Sequence, residues 1–139
     1  MRRPLLVSLL ALAAAACTPA TSSRPAASTA AGAALPASAV RHVVVFKYKP
    51  GTTPEQIRRV TEAFGALREQ IPGIVGFEHG ENHSPEGLNQ GFTHVYLLTF
   101  ASPAARDAYL PHPAHQAFGQ VAGANGLAGA FVVDYSPRE

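Results

Sequence analysis

Six histidines, four tyrosines and one cysteine carry most of the reactive chemistry of this 139-residue chain. They are densest in Tyr109–Leu110–Pro111–His112–Pro113–Ala114–His115. Pro113 suits the first position of a helix, which puts His112 at its cap and His115 inside its first turn. Two further histidines lie in apolar runs. Counting by twos along a strand puts His42 on the same side as Val44 and Phe46, and His94 on the same side as Tyr96, Leu98 and Phe100. If those sides face the helices, both imidazoles enter the space between sheet and helices. A buried polar group there needs a partner or costs about 1–3 kcal/mol. With Tyr109 and His115 arriving from the second helical region, the expected result is a polar cluster in an apolar pocket, the usual composition of a small-molecule site. The plain alternative is a set of satisfied core histidines that only stabilise the fold.

Other chemistries find less support. His112 and His115 are three apart and His79 and His83 four apart, but neither pair has an acidic or cysteine ligand at a recognised spacing. No metal site is therefore assigned. The chain also lacks a phosphate-cradling glycine motif, a nucleophile elbow and the cysteines for a disulfide framework.

The elements that would position these residues follow from periodicity. Arg41–Lys49 is β-branched and aromatic and ends at Pro50–Gly51, which reads as a strand. Thr53, Pro54 and Gln56 form a helix start with a capping box. Ile57, Val60, Phe64, Leu67 and Ile71 then make one apolar stripe that stops before Pro72–Gly73. Ile74–Glu81 reads as a second strand, His83–Gly91 as a loop and Phe92–Phe100 as a third strand. Ser102–Pro103 caps a short helix stopped by Pro111, Ala114–Ala122 continues as helix, and Ala130–Tyr135 is the last strand. The order β-α-β-β-α-β is the ferredoxin-like pattern of an α+β fold. Its sheet carries helices on one face, yet these strands are apolar on both. Val43, Val45, Val95, Leu97, Phe131 and Val133 make up the second face. A second copy of the sheet would cover it, which predicts a homodimer closed as a two-chain α/β barrel.

The first forty residues differ. Arg2 and Arg3 precede an apolar run from Leu5 to Ala16, too short to span a bilayer, and this reads as an export signal over residues 1–17. Ala14–Ala15–Ala16 before Cys17 resembles the lipobox of bacterial lipoproteins, which implies lipidation of Cys17 and a place facing the periplasm or cell exterior. Residues 18–39, rich in Ala, Ser, Thr and Pro, read as a disordered tether, with the folded domain over 40–139. The lipid anchor would be the only membrane contact. Without Arg2 and Arg3, nine basic side chains balance nine acidic ones, so no basic surface points to nucleic acid.

Tyrosine, two residues, then His-Pro-x-His at Tyr109–His115 resembles the signature of the stress-responsive A/B barrel family. Within that family the chain is similar to plant polyketide cyclases over nearly all of 41–138. The similarity runs through Arg41–Lys49, Phe92–Ser102, Asp107–Gly119 and the closing Asp134–Tyr135–Ser136–Pro137–Arg138. The resemblance implies a dimeric barrel, a catalytic pair at Tyr109 and His115, and a substrate-binding set of His42, Val44, Phe64 and His94. Phe64 stands where the cyclases carry a tyrosine, which removes one hydroxyl from the implied pocket. The implied chemistry needs no cofactor. A neutral histidine can take an acidic α-proton near neutral pH, and a phenol can hydrogen-bond the developing enolate. Two functions stand open: an exported, anchored dimer with a small-molecule pocket, and a cyclase- or lyase-like enzyme working through the Tyr-His pair.

Overall fold

The computed structural model describes Pro36 and residues 38–138; the expected signal over 1–17 with Cys17, and the tether up to residue 35, lie outside the described residues. The elements run β1 (Val40–Tyr48), α1 (Pro54–Gly65), α2 (Leu67–Gln70), β2 (Ile74–Glu81), β3 (His94–Phe100), α3 (Pro103–Tyr109), α4 (Pro113–Ala124) and β4 (Leu127–Tyr135). The four strands form one antiparallel sheet in the order β2-β3-β1-β4, the ferredoxin-like arrangement.

Helix α1 begins as its sequence dictates. The Thr53 hydroxyl accepts from the Gln56 amide at 3.3 Å, the Gln56 side chain accepts from the Thr53 amide at 2.9 Å, and Pro54 opens the helix. The single helix expected up to Ile71 is instead interrupted at Ala66. Gly65 is the weakest helix former in that stretch, and its missing side chain matters for packing. A Cβ there would sit 3.2 Å from the Phe77 ring. The apolar stripe survives the break, because Val60, Phe64, Leu67 and Ile71 are all buried. At the α2–β2 turn, Gly73 has φ +92°, and a Cβ would come within 2.6 Å of Ala105 Cβ. Glycine is required there both by conformation and by space.

Two strand limits differ from expectation. β3 starts at His94 rather than Phe92, because Phe92 closes a turn in which its amide donates to the Asn89 carbonyl and its own carbonyl accepts from the Asn89 side chain. β4 starts at Leu127, three residues early: Leu127 pairs with Tyr48 and Gly129 with Lys47 of β1, although Ala128 and Gly129 carry little strand signal in sequence.

The core lies between the sheet and the helices. Val44, Phe46, Tyr96, Leu98 and Phe100 of the sheet meet Val60, Phe64 and Leu67 of the first helices and Tyr109 and Phe118 of the second pair. Alternation along the strands decides this: the helix-covered side takes His42, Val44 and Phe46 of β1, with Leu98, Tyr96 and His94 opposite on β3. The other side takes Val43 and Val45, with Leu97 and Val95 opposite on β3 and Val133 and Phe131 opposite on β4. Phe131 is 55% and Val133 41% exposed, and Val43, Val45, Val95 and Leu97 are half-buried, so within one chain this apolar side is only partly covered.

Candidate functional site

Antiparallel pairing of β1 with the edge strand β4 sets His42 opposite Asp134, both on the helix-covered side. The His42 Nδ1 lies 2.6 Å from Asp134 Oδ1. A carboxylate only accepts, so Nδ1 donates, and in the neutral ring it is Nε2 that carries the lone pair. The other oxygen, Asp134 Oδ2, accepts from the Arg106 guanidinium on α3. Above this pair sits Tyr109, the last residue of α3, where Pro111 prevents the helix from continuing. Its ring contacts His42 edge-on at 5.7 Å and Phe100 at 5.0 Å, and lies 4.1 Å from the His115 ring. His112 caps α4, its Nδ1 accepting from the Ala114 amide at 3.2 Å, and this places His115 over Tyr109. The His115 Nδ1 donates to the Leu110 carbonyl at 3.0 Å, so in the neutral ring its Nε2 is the acceptor.

His42, Tyr109 and His115 form the polar wall of a cavity of about 230 Å³. The remaining lining is apolar and includes Val44, Phe46, Phe64 and Phe118. Phe64 stacks on Phe118 at 4.3 Å and makes a flat aromatic wall. The Tyr109 hydroxyl is buried and has no hydrogen-bond partner among the described residues. Burial first, and the nearby Asp134 charge second, push its phenol well above the ordinary tyrosine range. At neutral pH it is therefore a protonated donor aimed at nothing of the chain's own.

His94 does not join this group, which corrects the expectation that four side chains converge in one cavity. It shares the sheet face with His42, as alternation predicts, but pairs with Phe46 whereas His42 pairs with Leu98. Four strand residues separate the two positions, roughly 13 Å along the sheet. His94 bonds the Thr93 hydroxyl through Nδ1 at 2.9 Å and approaches Glu81 at 3.6 Å. It lines a separate open groove of about 770 Å³ with His79, Thr61 and Tyr96. That groove is larger, but the hydroxyl of its buried Tyr96 is already bonded to Thr61 at 2.8 Å. The smaller cavity is lined by Tyr109, whose hydroxyl is the unpartnered donor, and is the stronger candidate. His83 is exposed in the β2–β3 loop. Among the described residues no three His, Cys, Asp or Glu side chains are grouped to hold a metal ion.

Reading the sequence for chemistry misses Asp134 and Arg106. The usable signal for Asp134 is a carboxylate at a core-facing position of a strand, two residues after Val132. Arg106 gives no such signal, since its role depends on where α3 lies over β4.

Residues 40–137 match the stress responsive A/B barrel domain. The stress-response A/B barrel domain-containing protein HS1 of Arabidopsis thaliana is 35% identical over 98 residues, covering 70% of this chain and 89% of that protein. Olivetolic acid cyclase of Cannabis sativa is 30% identical over 101 residues, covering 73% and 99%. Among solved structures, hydroxynitrile lyase from Passiflora edulis superposes with a TM-score of 0.67 at 27% identity, covering 75% of this chain and 97% of that one. A dimeric ferredoxin-like protein from Jannaschia sp. CCS1 superposes with a TM-score of 0.61 at 28% identity, covering 71% and 99%.

Proposed function

Since the chain belongs to the stress-responsive A/B barrel family, we propose that it is a homodimer whose Tyr109–His115–His42 cavity binds a small, largely apolar carbonyl compound. The unpartnered Tyr109 hydroxyl carries this reading. A buried donor left unpaired costs about 1–3 kcal/mol, a cost offset when a ligand oxygen accepts from it. The apolar lining around it favours a compact hydrocarbon or aromatic body, and about 230 Å³ limits its size.

The same wall supports cofactor-free proton transfer as a second reading, favoured by relatives that include a cyclase and a lyase. With a ligand carbonyl on Tyr109, the His115 Nε2 would take an α-proton while the phenol stabilises the forming enolate oxygen. The imidazolium would then return that proton to the product. The test is titration of purified protein with a panel of small aromatic aldehydes and 1,3-diketones, followed by NMR. Tyr109→Phe is expected to weaken binding about tenfold with the fold intact. Equal affinity of the variant and the parent for every probe that binds would sink the carbonyl reading.

Export and lipid anchoring through Cys17 belong to the same proposal and rest on residues 1–17 of the sequence. Cys17→Ser is expected to move the protein from the membrane to the soluble fraction and to abolish labelling by a fatty-acid probe. Unchanged membrane retention would refute the anchor.

A further inference from the structure

We propose that Arg106 is a positioning residue for the cavity: it fixes the Asp134 carboxylate so that His42 stays in its Nδ1-protonated form, with Nε2 available as a second proton acceptor besides His115. The inference rests on the reading of the cavity as a binding site and adds to it a residue whose position in sequence gave no hint of a role.

The geometry divides the two oxygens of Asp134 between different partners. Oδ1 faces the His42 Nδ1 at 2.6 Å, and Oδ2 faces the Arg106 guanidinium. Asp134 is the next-to-last residue of the edge strand β4 and is partly open to solvent. An aspartate in such a place can turn its carboxylate to water by rotating two bonds. Arg106 opposes that rotation, and its own fork is braced from the far side, Nε donating to Asp107 Oδ1 at 2.8 Å. Paired to both aspartates, the guanidinium is held even further above its ordinary range than arginine usually lies, with the Asp107 bond the larger cause and Asp134 next.

His42 has no such freedom. It is buried, wedged edge-on against Phe100 and Tyr109, and Asp134 is the partner of its Nδ1. If the carboxylate leaves, the ring is free to carry its proton on Nε2 instead, and the lone pair of Nε2 is lost. Arg106 thus acts on the site through Asp134 without touching the cavity. A partly exposed ion pair contributes little to stability, so its removal separates positioning from folding.

The experiment is long-range proton–nitrogen correlation NMR on protein labelled with ¹⁵N-histidine at neutral pH, which reads the tautomer of His42 with no ligand present. The parent is expected to show Nδ1 protonated. Arg106→Gln should raise the Nε2-protonated population about tenfold, the loss expected when a charge-assisted hydrogen bond stops holding the carboxylate. Arg106→Lys should restore most of the parental ratio, and both variants should melt within a few degrees of the parent. Asp134→Asn offers an independent route, removing the charge that Arg106 binds, and should shift the tautomer in the same direction. A parental tautomer ratio in Arg106→Gln overturns the proposal. So does a change confined to variants whose β1 and β4 backbone amide signals also move, since that would make Arg106 structural. Failure of the carbonyl probes to bind would strike the binding reading and leave the tautomer result standing.

Discussion

Tyr109 brings stability and function into opposition at a single atom. Had its hydroxyl bonded a core neighbour, as the satisfied-core alternative requires, removing it would strand that neighbour and lower the melting temperature. The hydroxyl is instead buried without a partner among the described residues. Tyr109→Phe is therefore expected to stabilise the free protein by about 1 kcal/mol, while weakening carbonyl binding. A fall in melting temperature of several degrees would mean that the hydroxyl is paired in solution. The pH dependence supplies a second reading of the same atom. Burial raises the phenol's titration in the folded chain, whereas unfolded tyrosines titrate near about pH 10. Above that pH the folded state binds more protons than the unfolded one, so stability is full below about pH 10 and declines as pH rises beyond it. Tyr48, raised by burial and then by its bond to Tyr96, adds to the same decline. Melting curves from pH 8 to roughly pH 11 should thus slope less steeply in Tyr109→Phe than in the parent. Parallel slopes would show that Tyr109 titrates normally in the fold.

Alternation and caps are local properties, and at the scale of elements they were readable. The Thr53–Gln56 box, Pro113 opening a helix, and the placing of His42 and His94 on the helix-covered face all follow from neighbours within a few residues. Register is not local. Which residue of β3 lies opposite His42 depends on the whole β1–β3 pairing, and that pairing puts Leu98 there and His94 four residues away. Parity fixes the face but carries no information about position along it, so three of the four side chains line one cavity and His94 stands apart. The same limit hid Asp134. Its parity with Val132 made it core-facing, but only the β1–β4 register brings it to His42. Helix α3 extends the point by one layer, since Arg106 reaches Asp134 across 28 positions of sequence through the way α3 packs over the sheet. The break at Gly65–Ala66 is hidden for a different reason: an apolar stripe passes unaltered through a one-residue interruption, so hydrophobic periodicity does not detect it.

For the whole molecule, the sheet has one face with a core and one without. On the helix-covered face, Val44, Phe46, Tyr96 and Leu98 are buried. On the other, Val45 lies opposite Val95 on β3 and Phe131 on β4, three apolar side chains abreast across the sheet. Phe131 remains more than half exposed in the single chain. A patch of this kind is costly in water at about 25 cal/mol for each Å², and a twofold copy of the same patch covers it with no other partner needed. The dimeric state of the ferredoxin-like relative from Jannaschia sp. CCS1 supports that choice of partner. Val45→Asp tests it at the centre of the patch. If the face meets water, an aspartate there is tolerated and the mass in sedimentation velocity does not change. If the face meets its copy, the twofold brings two buried carboxylates into one dry interface, where an unpaired charge costs several kcal/mol. The expected outcome is loss of the dimer, with monomer or aggregate in its place across micromolar concentrations. A folded Val45→Asp protein with the parental dimer mass would put the interface elsewhere, and the sheet face would then need a different occupant.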